Sequence, residues 1–305
     1  MENREFHKVA IIGAGVAGMS CALYLGRAGI DTCLIGDWVT TPLLNTPAIE
    51  NYPGVKSISG YEYLENLNKQ VVDAGVRVVP SVATTPLIKN ESWVIITGDG
   101  TVIDTDHIVI ATGSEPRMLG IENEEEFIGH GVSTCAYCDA QLYENKRVAV
   151  IGSGTLAFDE AIYLSKICAK VSIICRKDKL NSLNYDTDAL INYPNISVNL
   201  GMKVVSLSRG EDGSIMIIAE GVRRTMMSFD GVFYAIGSVP NTAFLEGVFP
   251  LNKDKYIDIP EEVSSSHRMY VCGDVNANNK FKQVVTAAAD GCNTAMRIIR
   301  DIKLN

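Results

Sequence analysis

The hydrophobic pattern of the chain repeats one unit twice. Residues 8–12 and 147–151 are short, almost continuous apolar runs, and each leads directly into a glycine-rich turn and then into good helix formers. A further apolar run follows each helix, at 31–35 and at 170–175, where the pattern predicts a neighbouring parallel strand. The order of strand, turn, helix and strand therefore predicts two dinucleotide-binding folds in one chain.

Apolar or alternating runs predict the other elements. Helical spacing predicts helices over 59–74, closed by Gly75, and over 282–299. Strands are predicted at 76–79, 94–97, 102–104, 107–111, 196–200, 203–207, 215–219, 223–228, 231–237 and 269–274. We predict an α/β protein of two Rossmann-like, three-layer dinucleotide-binding domains.

Length and charge narrow the class of protein. A chain of 305 residues favours about two domains, each able to bury its own core. With 27 Lys and Arg against 36 Asp and Glu, the formal charge of −9 does not favour binding to nucleic acid or to anionic membranes. The first apolar run is too short for a signal peptide or a membrane span, so we expect a cytoplasmic protein.

Cysteine spacing marks the reacting centre. The eight Cys residues include one close pair, Cys135 and Cys138, in the run Cys-Ala-Tyr-Cys-Asp that ends at Asp139. Two thiols at this spacing can form a redox-active disulfide, and the adjacent carboxyl can supply or remove a proton. Zinc is the less favoured interpretation, because the other six Cys residues stand singly, and an incidental pair is the third.

The first glycine-rich turn predicts a nucleotide site. Gly13 permits the tight turn, Gly15 lets a pyrophosphate approach the backbone, and Gly18 lets the helix pack closely on the sheet. An acidic residue for the ribose hydroxyls is expected at the end of the next strand. Gly36 stands there and Asp37 follows it, so Asp37 either makes a displaced ribose contact or is an ordinary loop residue.

The second glycine-rich turn differs in two ways. Ala157 replaces the third Gly, which still permits close helix packing. The strand at 170–175 ends in Arg176 and Lys177 instead of an acid, and two cations there suit the 2′-phosphate of NADP. A solvated basic pair, partly offset by Asp178, is the alternative.

Together these motifs resemble the low-molecular-weight thioredoxin reductases over essentially the whole chain. The resemblance rests on the two glycine-rich turns, on Ala-Thr-Gly at 111–113, on the Cys-X-X-Cys-Asp run, and on Gly-Asp-Val at 273–275 followed by Lys-Gln at 282–283. It implies an FAD domain of about residues 1–115 and 246–305, with a nicotinamide-nucleotide domain of 116–245 inserted into it. It also implies a homodimer and a swing of the inserted domain.

The resemblance further implies the site residues. Cys138 would face the flavin, Cys135 would attack thioredoxin or a thioredoxin-like protein, and Asp139 would protonate a leaving thiolate. The implied FAD contacts are Gly13, Ala14, Gly15, Val16, Ala17, Gly18, Asp37, Asn45, Asn51, Val82, Ala111, Thr112, Gly113, Gly273, Asp274, Lys282, Gln283 and Val284. The implied NADPH contacts are Gly152, Ser153, Gly154, Thr155, Leu156, Glu160, Arg176, Lys177, Ile236 and Gly237. No metal ion is expected.

Three departures from the family pattern leave alternatives open. Thr40, Thr41 and Pro42 stand where the family has Gly-Gly-Gln, Asn181 stands in place of a third Arg, and Tyr137 is bulkier than usual. We therefore keep two alternatives to an NADPH-dependent enzyme. One is the same flavin and dithiol scaffold with a non-nicotinamide donor such as ferredoxin, and the other is a non-catalytic flavin-binding redox sensor.

Overall fold

The computed structural model describes residues 3–89, 92–180, 190 and 192–304, and Asn181 lies outside them. The strands, in chain order β1 to β17, are Arg4–Ile12, Thr32–Ile35, Arg77–Val79, Leu87–Lys89, Ser92–Ile96, Val102–Ile110, Ser114–Pro116, Val132–Ser133, Arg147–Ile151, Lys170–Ile174, Ile196–Asn199, Lys203–Arg209, Ile215–Glu220, Arg224–Phe229, Gly231–Tyr234, Ser238–Pro240 and Met269–Val271. The helices, α1 to α6, are Val16–Arg27, Gly60–Asp73, Ala136–Asp139, Thr155–Ser165, Glu261–His267 and Val284–Leu304.

The chain divides into two compact units. The first contains Met1–Glu115 and Val239–Asn305, and the second contains Pro116–Ser238. The second boundary falls earlier than residue 245, the predicted end of the inserted domain. Residues after it belong to the first unit, because the Asn241 N–H donates to the Gly113 carbonyl at 3.0 Å and Leu245 is fully buried in the first unit's core.

The first unit is built on a seven-stranded sheet. Its strand order is β3-β2-β1-β6-β5-β4, and β17 also pairs with β6. Strands β3, β2, β1, β6 and β17 are parallel, whereas β4 and β5 form an antiparallel extension. The parallel strands all end at the same edge, so the segments that follow β1, β6 and β17 lie close together.

Both faces of this sheet are buried. Along β1, Val9 and Ile11 pack in one apolar core with side chains of α1 and α2, whereas Ala10 and Ile12 pack in a second core with Trp93. Successive residues of a strand point to opposite faces, so a strand buried on both sides is apolar at every position. This is why the sequence shows a continuous apolar run here.

The second unit also has a central parallel sheet, but helices pack on one face of it and an antiparallel sheet packs on the other. Its five-stranded sheet is parallel throughout, in the order β11-β10-β9-β15-β8. On one face, Val148 and Val150 of β9 pack with α3 and α4. On the other, Ala149 and Ile151 pack against the antiparallel sheet β12-β13-β14. The predicted α/β fold class is confirmed.

Some predicted elements have different bounds. The strands predicted at 102–104 and 107–111 are one strand, β6, because the polar residues between them pair in register with β1. The last helix begins at Val284 instead of residue 282 and continues to Leu304. Strand β4 was not predicted, since it is only three residues long and its two apolar residues, Leu87 and Ile88, are exposed instead of buried. In the part of the chain that the structure describes, no helix is long and apolar enough to span a membrane.

Gly291 tests the packing of α6 on α1. A Cβ at this position would fall on the carbonyl oxygen of Ala17 and lie 3.0 Å from the Cys21 nitrogen. We expect Gly291→Ala to push the helices apart and to lower the free energy of unfolding by about 1–3 kcal/mol. Thermal unfolding measures this, with Met296→Ala on the exposed face of α6 as the control. Equal melting temperatures for the two variants would contradict the expectation.

Candidate active site

The close cysteine pair forms a disulfide in the second unit. Cys135 and Cys138 are bonded, with their Cα atoms 5.3 Å apart, and the remaining six cysteines are free thiols. Cys135 precedes the first residue of α3 and Cys138 lies within it, so both sulfurs belong to one short turn. Cys138 is exposed and Cys135 is partly buried. Over the described ranges, no group of three or more His, Cys, Asp or Glu side chains is placed to hold a metal ion.

A serine holds the start of this turn. The Ser133 hydroxyl accepts from the Cys135 N–H at 3.0 Å and donates to the Cys135 carbonyl at 3.3 Å. The same carbonyl accepts from the N–H groups of Cys138 and Asp139, each at 3.2 Å. Ser133 is the last residue of β8, the edge strand that pairs with β15. The peptide of Cys135 is therefore fixed to the sheet.

A glutamate from the next helix holds the other side of the turn. Glu160 is only 3% exposed, and its carboxylate accepts from the Ala136 N–H. Its Oε2 atom is buried without a hydrogen-bond partner among the described residues. Burial raises the pKa of this carboxyl to about 7, since the charged form has little solvent around it. The sequence predicted an NADPH contact for Glu160, and the structure places it against the disulfide turn.

Tyr137, between the two cysteines, is 44% exposed. Its ring packs against Tyr163 of α4, with the ring centroids 4.7 Å apart. An aromatic pair at this distance stabilises the position of both rings beyond the area that they bury. Tyr137, which makes the turn bulkier, therefore also anchors the turn to α4 through its ring contact with Tyr163.

The predicted acid, Asp139, is the last residue of α3 and is partly buried. Burial raises the pKa of the neighbouring Tyr143 phenol, and the negative charge of Asp139 adds to the effect. The Asp139 carboxyl lies on the same short turn as both cysteines, and its role as a proton donor stays a prediction.

The second glycine-rich turn leads into α4. A Cβ on Gly152 would lie 2.8 Å from the Ala157 Cβ, whereas a Cβ on Gly154 would meet no atom within 4 Å. The open space at Gly154 agrees with the role predicted for the second glycine, and the contact of Gly152 with Ala157 shows close packing at the third position, where it was expected. Arg176 and Lys177 follow β10 and are exposed, so both cations are accessible to a phosphate. The remaining predicted NADPH contacts lie in the same turn and after β15, namely Ser153, Thr155, Leu156, Ile236 and Gly237.

The first glycine-rich turn shows the same division. Gly13 has φ +115°, a value that favours glycine, and a Cβ on Gly18 would fall on the Gly13 carbonyl. A Cβ on Gly15 would meet only the Thr41 Cγ2 atom, at 4.0 Å. The backbone of Gly15 is therefore accessible to a pyrophosphate. Gly15 immediately precedes α1, so the N-terminus of this helix lies at the same place.

A second feature of the first unit fits a polar ligand. The Oδ1 atom of Asp274, after β17, is buried without a hydrogen-bond partner among the described residues, and burial raises the pKa of this carboxyl. Hydroxyl groups of a ribityl chain are the kind of donor that such an oxygen lacks. Lys282, before α6, donates from its Nζ atom to the Ser114 hydroxyl at 2.9 Å and to the Tyr256 hydroxyl at 2.6 Å.

Other predicted FAD contacts have partners of their own. The Asn51 amide donates to Gln283 Oε1 at 3.1 Å, which joins two predicted contacts that are far apart in the sequence. Asp37 Oδ1 accepts from the Val39 N–H at 3.1 Å, so this side chain caps a short helix, as a loop residue would. Val82 is 76% exposed, and Asn45 is also exposed. Whether these residues contact FAD stays a prediction.

Three residues of the site were not predicted. Ser133 could have been, because a Ser two residues before a cysteine is a common cap for the next turn. Asp290 accepts from the Gly273 N–H at 2.8 Å, and Tyr256 accepts from Lys282. Both contacts join residues distant in the sequence, and no local pattern indicates them.

Comparison with known proteins gives the class. The family model for pyridine nucleotide-disulphide oxidoreductases matches residues 7–291, and the chain belongs to this family. Among its relatives are thioredoxin reductases of Treponema pallidum, 36% identical over 93% of this chain and 94% of that one, and of Rickettsia prowazekii, 32% identical over 96% and 97%.

Solved structures show the same likeness. The thioredoxin reductase of Streptococcus pyogenes has a TM-score of 0.87 at 26% identity and covers 100% of both chains. That of Giardia duodenalis has a TM-score of 0.88 at 25% identity and covers 98% of this chain and 99% of that one. The predicted family resemblance is confirmed, as is the prediction of a disulfide oxidoreductase.

Asp274 provides a test of the predicted flavin site. We expect Asp274→Ala to weaken FAD binding about tenfold or more, because the ligand would lose a hydrogen bond to a charged group. Visible flavin absorbance after gel filtration, followed by titration of the apoprotein with FAD, measures the change. The exposed Asp254→Ala variant is the control, and equal FAD affinities for both variants would remove Asp274 from the site.

Proposed function

We propose that the protein reduces the disulfide of thioredoxin or of a thioredoxin-like protein, with electrons from NADPH that pass through FAD to the Cys135–Cys138 pair. The observation that carries this proposal is a disulfide within one short turn, between Cys135 and Cys138, in a chain of the pyridine nucleotide-disulphide oxidoreductase family. The names of the relatives support thioredoxin as the substrate.

The cofactors fit the two glycine-rich turns. Gly13, Gly15 and Gly18 with Asp274 would hold FAD in the first unit, and Gly152, Gly154, Arg176 and Lys177 would hold NADPH in the second. When bound, NADPH would supply the electron pair as a hydride, and FAD would supply the redox chemistry between the nicotinamide and the disulfide. The open space at Gly15 and at Gly154 supports this assignment.

The protein's own sulfurs do the exchange. After reduction, the Cys135 thiolate attacks one sulfur of the substrate disulfide, and a mixed disulfide forms as a substrate thiolate leaves. Cys138 then attacks the Cys135 sulfur, which restores the Cys135–Cys138 bond and releases the second substrate thiolate. Asp139 supplies a proton to a leaving thiolate, and two electrons and two protons reach the substrate in total. The assignment of the attack to Cys135, the residue before α3, follows the family resemblance.

Serine variants test the exchange. We expect Cys135→Ser and Cys138→Ser each to reduce NADPH-dependent thioredoxin reduction to below about one thousandth of the wild-type rate, since neither can form the intramolecular disulfide. Cys138→Ser should still trap a mixed disulfide with thioredoxin, which mass spectrometry detects. The buried free thiol variant Cys168→Ser is the control. Full turnover in either active-site variant would overturn the proposal.

The basic pair sets the expected donor. We expect the bound flavin to be reduced by NADPH at least about tenfold faster than by NADH, and Arg176→Ala with Lys177→Ala to remove most of this preference. Anaerobic stopped-flow spectroscopy measures both rates. Lys170→Ala, at the other end of β10, is the matched control. A faster reaction with NADH contradicts the assignment of the basic pair.

The replacement of a third Arg by Asn181 keeps a second candidate open. It is the same scaffold with a non-nicotinamide donor such as ferredoxin, and a flavin that neither nucleotide bleaches would favour it. A chemically reduced protein that leaves thioredoxin oxidised would instead favour the non-catalytic redox sensor.

We also propose a cytoplasmic homodimer, on the family resemblance alone, and analytical ultracentrifugation tests its mass.

A further inference from the structure

The disulfide turn is fixed from two sides by side chains that the proposed exchange does not use. Ser133 of β8 bonds both polar atoms of the Cys135 peptide, and Glu160 of α4 accepts the Ala136 N–H. Ala136 is fully buried, so water cannot satisfy its N–H group. The four-residue helix α3 would otherwise begin with a buried unpaired donor.

The contact from α4 is firmly placed. Glu160 lies between Phe158 and Ala161, which are buried in the same apolar core as Ala136. The Glu160 side chain is only 3% exposed, so it has little room to move to another hydrogen-bond partner. Its Oε2 atom has no hydrogen-bond partner among the described residues. A buried acid is costly, and the hydrogen bond to the turn offsets part of that cost.

We propose that Glu160 is a positioning residue for the dithiol. In the reduced protein, Glu160 keeps Cys135 and Cys138 in the geometry that allows the disulfide to form. While the disulfide is closed, the covalent bond itself fixes the turn. In the reduced protein only noncovalent contacts fix the turn. Glu160 supplies one of them at Ala136, which lies between the two cysteines. This inference rests on the proposed function only in that the pair is redox-active.

The consequence is a shift in the dithiol equilibrium. Oxidation of the pair releases two electrons and two protons and forms one S–S bond, with oxidised glutathione as the acceptor that becomes two reduced glutathione molecules. A turn held in the bonding geometry loses less conformational freedom in this step than a loose one does. Glu160 should therefore favour the disulfide and make the reduced pair a stronger reductant.

The test is the equilibrium of the pair in glutathione buffers, in the FAD-loaded full-length protein. Acid quench and alkylation with a mass-adding maleimide distinguish eight free thiols from six. We expect Glu160→Ala to lower the disulfide-to-dithiol ratio about tenfold at a fixed buffer, which corresponds to about 30 mV for a two-electron couple. Glu160→Gln keeps an acceptor oxygen for the Ala136 N–H and should stay within about threefold of the wild-type ratio.

Asp159→Ala is the matched control, because it removes the adjacent carboxyl of α4 and leaves the Glu160 bond intact. Retained flavin absorbance and a cooperative melting curve establish that each variant is folded. An unchanged ratio in Glu160→Ala, or an equal loss in Glu160→Ala and Glu160→Gln, overturns the proposal. Thioredoxin assays are not part of this measurement, so failure of the proposed function would leave its result standing.

Discussion

The close contact of backbone with backbone at the two glycine-rich turns is the constraint on which the rest of each unit depends. At Gly18 a side chain would strike the Gly13 carbonyl, and at Gly152 it would strike the Ala235 carbonyl. Only without those side chains can α1 and α4 lie against their sheets with their N-termini at the strand ends. In the second unit this fixes more than a nucleotide loop, because α4 also carries Glu160 and Tyr163, which hold the disulfide turn. One helix therefore positions the predicted nucleotide loop at its start and the sulfur pair one to two turns later.

Two carboxyls carry the cost of this arrangement. Glu160 and Asp274 each have a buried oxygen without a hydrogen-bond partner among the described residues, and burial raises the pKa of both. Asp290 is partly buried, and burial also raises its pKa, but its carboxylate accepts from Gly273, Asn276 and Asn279, which offsets part of the cost. A buried carboxyl oxygen without a hydrogen-bond partner lowers the stability of the fold. Such a group in a folded protein therefore suggests a bound ligand or a functional role. The two acids fall in different units, one at the proposed flavin site and one at the dithiol.

Much of this could be predicted from the sequence, because it is encoded by local pattern. The strands β1, β2, β9 and β10, the two turns and the cysteine pair all follow from apolar runs, glycine spacing and thiol spacing. The bond from Ala136 to Glu160 could not be predicted, since it depends on how α3 packs on α4. Helix α5 was missed because its three serines favour a loop. The departure of Lys282 and Gln283 from the predicted helix has a local cause, since the Thr286 hydroxyl accepts the Gln283 N–H and so caps the helix that follows.

The segment after β2 shows how a departure from the family pattern is accommodated. Thr41 stands where the family has a polar Gly-Gly-Gln run, yet its Cγ2 atom is the nearest neighbour of the space above Gly15. Its hydroxyl donates to the Trp38 carbonyl at 2.9 Å, so it is already used within the segment. Within the described residues, the nearest atom to the space at Gly15 is therefore this methyl group, which cannot form a hydrogen bond. Polar contacts to the proposed FAD would then have to come from other groups, such as the backbone of the glycine-rich turn and Asp274, because Thr41 supplies shape instead of polarity.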